Sequence, residues 1–194
     1  MDYARSNRNG ASTKIVVAGG FGVGKTTFVG AVSEIDPLRT EALVTDVSQG
    51  KDDISKVQSK QTTTVAMDFG RITLADNLVL YLFGTPGQRR FWFMWDDLVT
   101  GAIGAVVLVD TRRLDDSFAA VDYFEAKGLP FIVALNQFDG AAPFGPEEIR
   151  EALAIPASIP VITVDARDRE SAKRALVRIT EFALTQLSGV PAPV

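Results

Sequence analysis

A lysine and a threonine close the glycine-rich run Gly19-Gly20-Phe21-Gly22-Val23-Gly24-Lys25-Thr26, which fits the spacing G-x-x-x-x-G-K-[ST]. Each residue type in that spacing has a chemical reason. Glycines let successive backbone N–H groups turn inward and close on an anion. A helix starting at the lysine adds partial positive charge at the same point. Lys25 is long enough to reach the β and γ phosphates of a nucleotide, and the Thr26 hydroxyl can ligate Mg²⁺. Gly19, Gly22, Val23, Gly24, Lys25, Thr26 and Thr27 are the expected phosphate-side contacts. The context agrees, because the apolar run Lys14–Ala18 before them reads as a buried strand and Thr26–Val32 after them as a helix start.

A second constellation lies far down the chain. Asn136-Gln137-Phe138-Asp139 follows another apolar run. An aspartate there can accept from the N1–H and 2-amino groups of guanine, and adenine lacks both donors. A buried polar match of this kind discriminates strongly, since the wrong base leaves a charge unpaired. Taken alone, Asp139 before Gly140 reads as a turn residue; behind a phosphate loop it reads as a base contact.

Composition narrows the chemistry. The 194-residue chain has no cysteine and no histidine, which excludes disulfides, thiolate nucleophiles, Ser-His triads and ordinary zinc sites. Any metal is then hard and oxygen-ligated, such as Mg²⁺. A net charge of −4 gives no support to a nucleic-acid surface. No apolar run reaches membrane-span length, the first ten residues carry no apolar signal core, and no lipidation motif is present. A cytoplasmic protein with no integral membrane segment is the expectation.

The elements that must position these residues alternate between strand and helix. Strands are expected at about 13–18, 64–74, 78–83, 105–110, 131–136 and 160–164, the second as a half-exposed edge strand joined to the third by a turn at Asp76-Asn77. Helices are expected at about 25–34, 89–99, 115–127, 146–154 and 168–187. This predicts one α/β domain over 13–187: a mostly parallel six-stranded sheet with helices on both faces, between tails at 1–12 and 188–194. Ligands of such sheets sit beyond the C-terminal strand ends, where the suspicious residues converge. The polar stretch 37–62 reads as a long functional loop.

With these motifs placed, the chain resembles the Ras-like small GTPases, whose P-loop NTPase G domain is a three-layer fold. Asn136-Gln137-Phe138-Asp139 looks like their Asn-Lys-x-Asp guanine motif, with Gln137 where lysine is usual. Val164-Asp165-Ala166-Arg167 resembles their Ser-Ala-Lys motif at Ala166, whose N–H faces guanine in the family; a plain strand-end loop is the alternative. Gly84-Thr85-Pro86-Gly87-Gln88 looks like Asp-x-x-Gly-Gln, the start of the second switch. The resemblance implies that Gly87 senses the γ-phosphate and that Gln88 orients the attacking water, with Lys25 as the other catalytic group. Gly84 stands where the family has the aspartate that holds Mg²⁺ through water. Thr64, in the triplet Thr62-Thr63-Thr64, matches the first-switch threonine that ligates Mg²⁺ beside Thr26.

The Gly-Thr-Pro-Gly-Gln replacement and the run Arg90-Phe91-Trp92-Phe93-Met94-Trp95 are similar to the conservon GTPases of actinomycetes and the bacterial gliding-motility GTPases. That resemblance implies a GTP/GDP switch with slow hydrolysis, and partners that include a roadblock-type protein and a sensor-kinase-like protein. The aromatic run cannot all face one core, so some of it is expected at a partner surface. Arg89 or Arg90 is a candidate internal arginine finger. Two other readings stand beside the switch: a guanine-nucleotide scaffold without turnover, motivated by Gly84, and a P-loop ATPase.

Overall fold

The structure, a computed structural model, describes residues 10–36, 38–45, 62–141 and 144–188. In chain order its elements are β1 (Ala11–Gly19), α1 (Lys25–Val32), β2 (Leu38–Thr45), β3 (Thr62–Ala75), β4 (Leu78–Gly84), α2 (Trp95–Val99), β5 (Gly104–Val109), α3 (Asp115–Lys127), β6 (Phe131–Asn136), α4 (Pro146–Ala152), β7 (Val161–Val164) and α5 (Arg169–Ser188). They form one sheet in the order β2-β3-β4-β1-β5-β6-β7.

The five strands β4, β1, β5, β6 and β7 run parallel. β5 and β6 are buried along their whole length, as continuous apolar runs in a doubly covered sheet must be. Side chains alternate between two cores. One holds Ile15, Val17, Phe28, Leu82 and Ile179 under α1 and α5; the other holds Val16, Trp95, Val107, Phe124 and Val133 under α2, α3 and α4. Each fully buried side chain of Phe or Ile size contributes about 1.5–3 kcal/mol. α5 carries Ala172, Ala175, Leu176, Ile179, Phe182 and Ala183 on one stripe, the spacing of an amphipathic surface helix. α3 ends at Gly128 in the left-handed region, φ +63°.

Five expectations are corrected. The sheet has seven strands, because Leu38–Thr45 pairs antiparallel with β3 from Leu38↔Phe69 to Thr45↔Thr62. β3 is therefore not an edge strand. It also outruns the sheet: β4 ends at Gly84, the partner of Asp68, so residues 62–67 pair with β2 alone and form a two-stranded ribbon past the C-terminal edge. The first part of the expected long loop is thus strand, and residues 46–61 lie outside those described. The stretch 89–99 is a 3-10 turn over Arg89–Met94 followed by α2, rather than one α-helix. Phe91 in the turn and Trp95 at the start of α2 are buried, and Phe93 is 63% exposed. β1 begins at Ala11, inside the expected N-terminal tail.

Candidate functional site

Five loops leave the C-terminal strand ends on one edge, and the first is the glycine-rich turn between β1 and α1. Gly24 sits at φ +105°, in the left-handed region that lets α1 begin directly at Lys25. A Cβ there would lie 2.6 Å from Asn136 Nδ2, so the position lacks room for a side chain as well. Lys25 is buried, and its Nζ donates to the carbonyls of Gly19 at 2.9 Å and Gly20 at 2.6 Å. Burial lowers its ammonium to about 8, while the charge of Asp68 pulls the other way. A phosphate oxygen is a stronger, charged acceptor for the same ammonium. Gly22, Gly24, Lys25, Thr26, Thr27 and Gly87 line one cleft of about 430 Å³.

The loop after β5 braces this turn from outside. Asp110 is buried; its carboxylate accepts from Arg112 Nε at 2.9 Å and Nη2 at 2.8 Å, and stands 3.6 Å from Arg113 Nε. These hydrogen bonds from Arg112 hold the Asp110 carboxyl below the usual range. Arg113 Nη2 in turn donates to the Phe21 carbonyl at 2.7 Å. The Arg112 guanidinium carbon stands over the Phe138 ring, 3.9 Å from its centroid.

Asn136 ties three loops together. Its Nδ2 donates to the Val23 carbonyl at 2.9 Å, and its Oδ1 accepts from the Ala166 N–H at 2.9 Å. Val23, Asn136 and Ala166 are all buried. The Ala166 amide, expected to face a base, is thus engaged by Asn136. Asn136, Gln137 and Asp139 line a second cleft of about 250 Å³ with Arg167. Asp139 is 89% exposed by side chain, and its Oδ2 accepts from Arg167 Nη1 at 3.0 Å. Arg167 also contacts Asp165 at 3.0 Å, and the two carboxylates raise its pKa further.

The switch-side residues are less gathered. Thr26 Oγ1 donates to Asp68 Oδ2 at 2.7 Å, and Asp68 is buried against Gly84. Thr85 is buried too, and its Oγ1 has no hydrogen-bond partner among the described residues. Thr64 lies in the β2–β3 ribbon, four residues before Asp68, or about 13 Å along an extended strand. Gln88 is exposed and is not among the residues lining the cleft; its Oε1 accepts from Arg90 Nε at 2.9 Å. Arg90 lies over Phe91, so this candidate finger is engaged with Gln88 and not with the cleft. Trp95, fully buried, donates from Nε1 to the Pro86 carbonyl at 3.2 Å and fastens this loop to the core.

Sequence reasoning missed Asp68, Thr85, Arg113 and Arg167 as members of the site. Arg167 carried a signal, because it directly follows Ala166. Asp68 stood in the segment Thr64–Phe69 that resembles the family's Thr-x-Gly-x-Asp-Phe, but only the strand register brings it against Gly84. Among the described residues no group of three acidic side chains gathers to hold a metal ion, so a cation here would take most of its oxygens from a ligand and water. No helix among them is long and apolar enough to cross a membrane.

Comparison with known proteins bears on the family and the fold. A family model described as "conserved hypothetical ATP binding protein" matches residues 17–186. The uncharacterized protein MJ1339 of Methanocaldococcus jannaschii is 33% identical over 128 residues, 65% of this chain and 70% of that protein. Translation initiation factor IF-2 of Rickettsia felis is 28% identical over 120 residues, but this chain spans only 14% of its length. Among solved structures, the FeoB G-domain of Methanococcus jannaschii aligns at TM-score 0.58 and 16% identity, over 89% of this chain and 98% of that one. The G domain of the T. maritima FeoB iron transporter aligns at 0.62 and 19%, over 89% and 99%. The cytosolic domain of the same transporter in a GDP form aligns at 0.62 and 18%, over 89% and 64%. The fold is that of a P-loop NTPase G domain, and the glycine-rich turn is its phosphate loop.

Proposed function

We propose that this chain, which belongs to the family described as conserved hypothetical ATP binding proteins, is a nucleotide switch that binds GTP and GDP and hydrolyses GTP slowly. The observation that carries the base preference is Asn136. It joins the phosphate loop to the loop after β7, and Asp139 stands three residues on in the adjoining cleft beside Arg167. An exposed carboxylate already oriented by a guanidinium suits a ligand with two neighbouring donors, which guanine has and adenine lacks.

On this reading Gly22, Gly24, Lys25, Thr26 and Thr27 take the phosphates, Gly87 reports the γ-phosphate, and Gln137 and Asp139 take the base, beside Asn136 and the Ala166 amide that it holds. Mg²⁺ fits the residues present. A hydroxyl at the start of α1 hydrogen-bonds a buried carboxylate, and a second buried hydroxyl in the same cleft has no partner among the described residues. Thr26 would hold the ion, with Thr64 joining after movement of the ribbon. When bound, the ion neutralises charge on the transferring phosphoryl group. Lys25 would add its own positive charge there, and Gln88 would orient water once released from Arg90. The resemblance to conservon and gliding-motility GTPases extends the proposal to a cytoplasmic signalling role with a roadblock-type protein and a sensor-kinase-like protein.

The Gln88–Arg90 contact favours a second reading, a guanine-nucleotide scaffold that turns over only when a partner moves the loop. The family's description favours a third, an ATPase. One experiment separates them: displacement of fluorescent GDP by GTP and by ATP, on wild type and Asp139→Ala, followed by single-turnover hydrolysis. GTP preference lost in Asp139→Ala supports the switch. Tight GTP without turnover leaves the scaffold. Equal displacement by ATP refutes the guanine reading.

A further inference from the structure

Mg²⁺ on a nucleotide keeps most of its water and is steadied by one or two protein carboxylates. At the end of β4, where the Ras-like resemblance would put that carboxylate, this chain has Gly84. Its partner across the β3–β4 ladder is Asp68. A Cβ on Gly84 would lie 2.9 Å from the Asp68 Cβ and 3.0 Å from its Oδ2. A side chain at 84 and the Asp68 carboxylate in its present place therefore exclude one another. Glycine at 84 is what admits Asp68 to the cleft.

The carboxylate then meets the residue best placed to ligate the ion. Thr26 Oγ1 donates to Asp68 Oδ2 at 2.7 Å. A hydroxyl binds a cation through its lone pairs and keeps its proton for a hydrogen bond, so metal ligation by Thr26 and donation to Asp68 are compatible. Such a partner orients the ligand and raises its basicity. Thr85, the next residue after Gly84, brings a buried hydroxyl without a partner among the described residues to the same cleft. A metal-bound water offers that hydroxyl the partner it lacks.

Resting on the nucleotide reading above, we infer that Asp68 is the carboxylate that holds the water shell of nucleotide-bound Mg²⁺ in this chain, moved from β4 to β3 across the ladder and seconded by the Thr85 hydroxyl. The acid then belongs to the strand that runs on into the ribbon, so a shift of β3 along its length changes the metal site directly.

The test is Mg²⁺ affinity of the full chain loaded with fluorescent GDP, read from the Mg²⁺ dependence of GDP release and from Mn²⁺ electron paramagnetic resonance. Asp68→Ala is expected to lower metal affinity by about 10–100-fold. Asp68→Asn keeps the size and one acceptor and is expected to lose most of the same factor, which covers the case in which the alanine variant does not fold. Gly84→Asp alone crowds two carboxylates and is expected to weaken both folding and metal binding. The exchange Asp68→Gly with Gly84→Asp returns the carboxylate to β4 and is expected to recover at least tenfold over Asp68→Gly alone. Metal affinity of folded Asp68→Ala or Asp68→Asn within twofold of wild type overturns the inference, as does an exchange variant that folds and recovers nothing. A wild type that binds no guanine nucleotide removes the functional reading and this inference with it. Mg²⁺-dependent release that Asp68 variants leave unchanged removes this inference alone.

Discussion

Asn136→Ala tests the junction on which the base-side reading depends. The change removes one donor and one acceptor at a buried point. The Val23 carbonyl and the Ala166 N–H are left without their partners, and both residues are almost fully buried, at 2% and 1% exposure. Stranding a buried backbone group costs about 1–3 kcal/mol. Water entering the space vacated by the amide would satisfy part of one group, so a loss of roughly 3 kcal/mol is expected for the pair. For a chain of this size that corresponds to a fall in Tm of about 6–12 °C. The assay is thermal unfolding followed by circular dichroism, without nucleotide, beside Gln137→Ala as an exposed neighbour expected to change stability by less than about 0.5 kcal/mol. Asn136→Asp keeps the acceptor for Ala166 but turns a carboxylate oxygen toward the Val23 carbonyl, so it is expected to fall at least as far. If Asn136→Ala melts within about 2 °C of wild type, a loss below 1 kcal/mol, the three loops are not held by this residue and the argument fails.

Other expectations follow from the same geometry. Gly24→Ala meets both a left-handed backbone and the Asn136 amide, so it should abolish nucleotide binding in a titration and lower Tm; retained affinity would contradict the close approach. Trp95→Ala should cost about 3–5 kcal/mol in chemical denaturation, because it empties a fully buried site and frees the Pro86 carbonyl. Since that indole bonds to the residue before Gly87, tryptophan fluorescence should differ between GDP and a GTP analogue. Trp95→Phe should remove the difference, and identical spectra in wild type would refute it. Asp110→Asn should destabilise the chain at neutral pH. Because Arg112 holds the folded carboxyl below its ordinary value, the advantage of wild type is complete above about pH 4 and fades as pH falls through the folded value. A gap between the two that persists unchanged at pH 2 would assign the effect to something other than charge.

What was legible in the sequence is what is local. The phosphate loop lies within eight consecutive residues, and its strand and helix flank it directly. The apolar runs at 104–109 and 131–136 are buried along their length, so they declare themselves by composition. β2 did not, because Arg39, Thr40 and Glu41 interrupt the alternation of a strand that has a neighbour on one side only. The helix expected over 89–99 is a 3-10 turn over Arg89–Met94 and α-helical only from Trp95 to Val99, a change of winding that nothing in the local residue types marks. Asp68 was invisible as a site residue: its role comes from facing Gly84, and only the strand register brings the two together. The pairing of Asp139 with Arg167 spans 28 positions and likewise has no local mark.

The two ends of the described chain share one side of the molecule. The Ala11 N–H donates to the carbonyl of Asn77, in the turn between β3 and β4, at the edge away from the phosphate loop. α5 runs back against the sheet, so that Phe182 and Gln186 come down beside Pro130 and Pro156 at that same edge. A tether attached beyond Gly10 or beyond Ser188 therefore presents every candidate loop outward. Immobilised by either end on a sensor surface, the protein should turn its ligand edge toward the solution, and both orientations should report the same affinity.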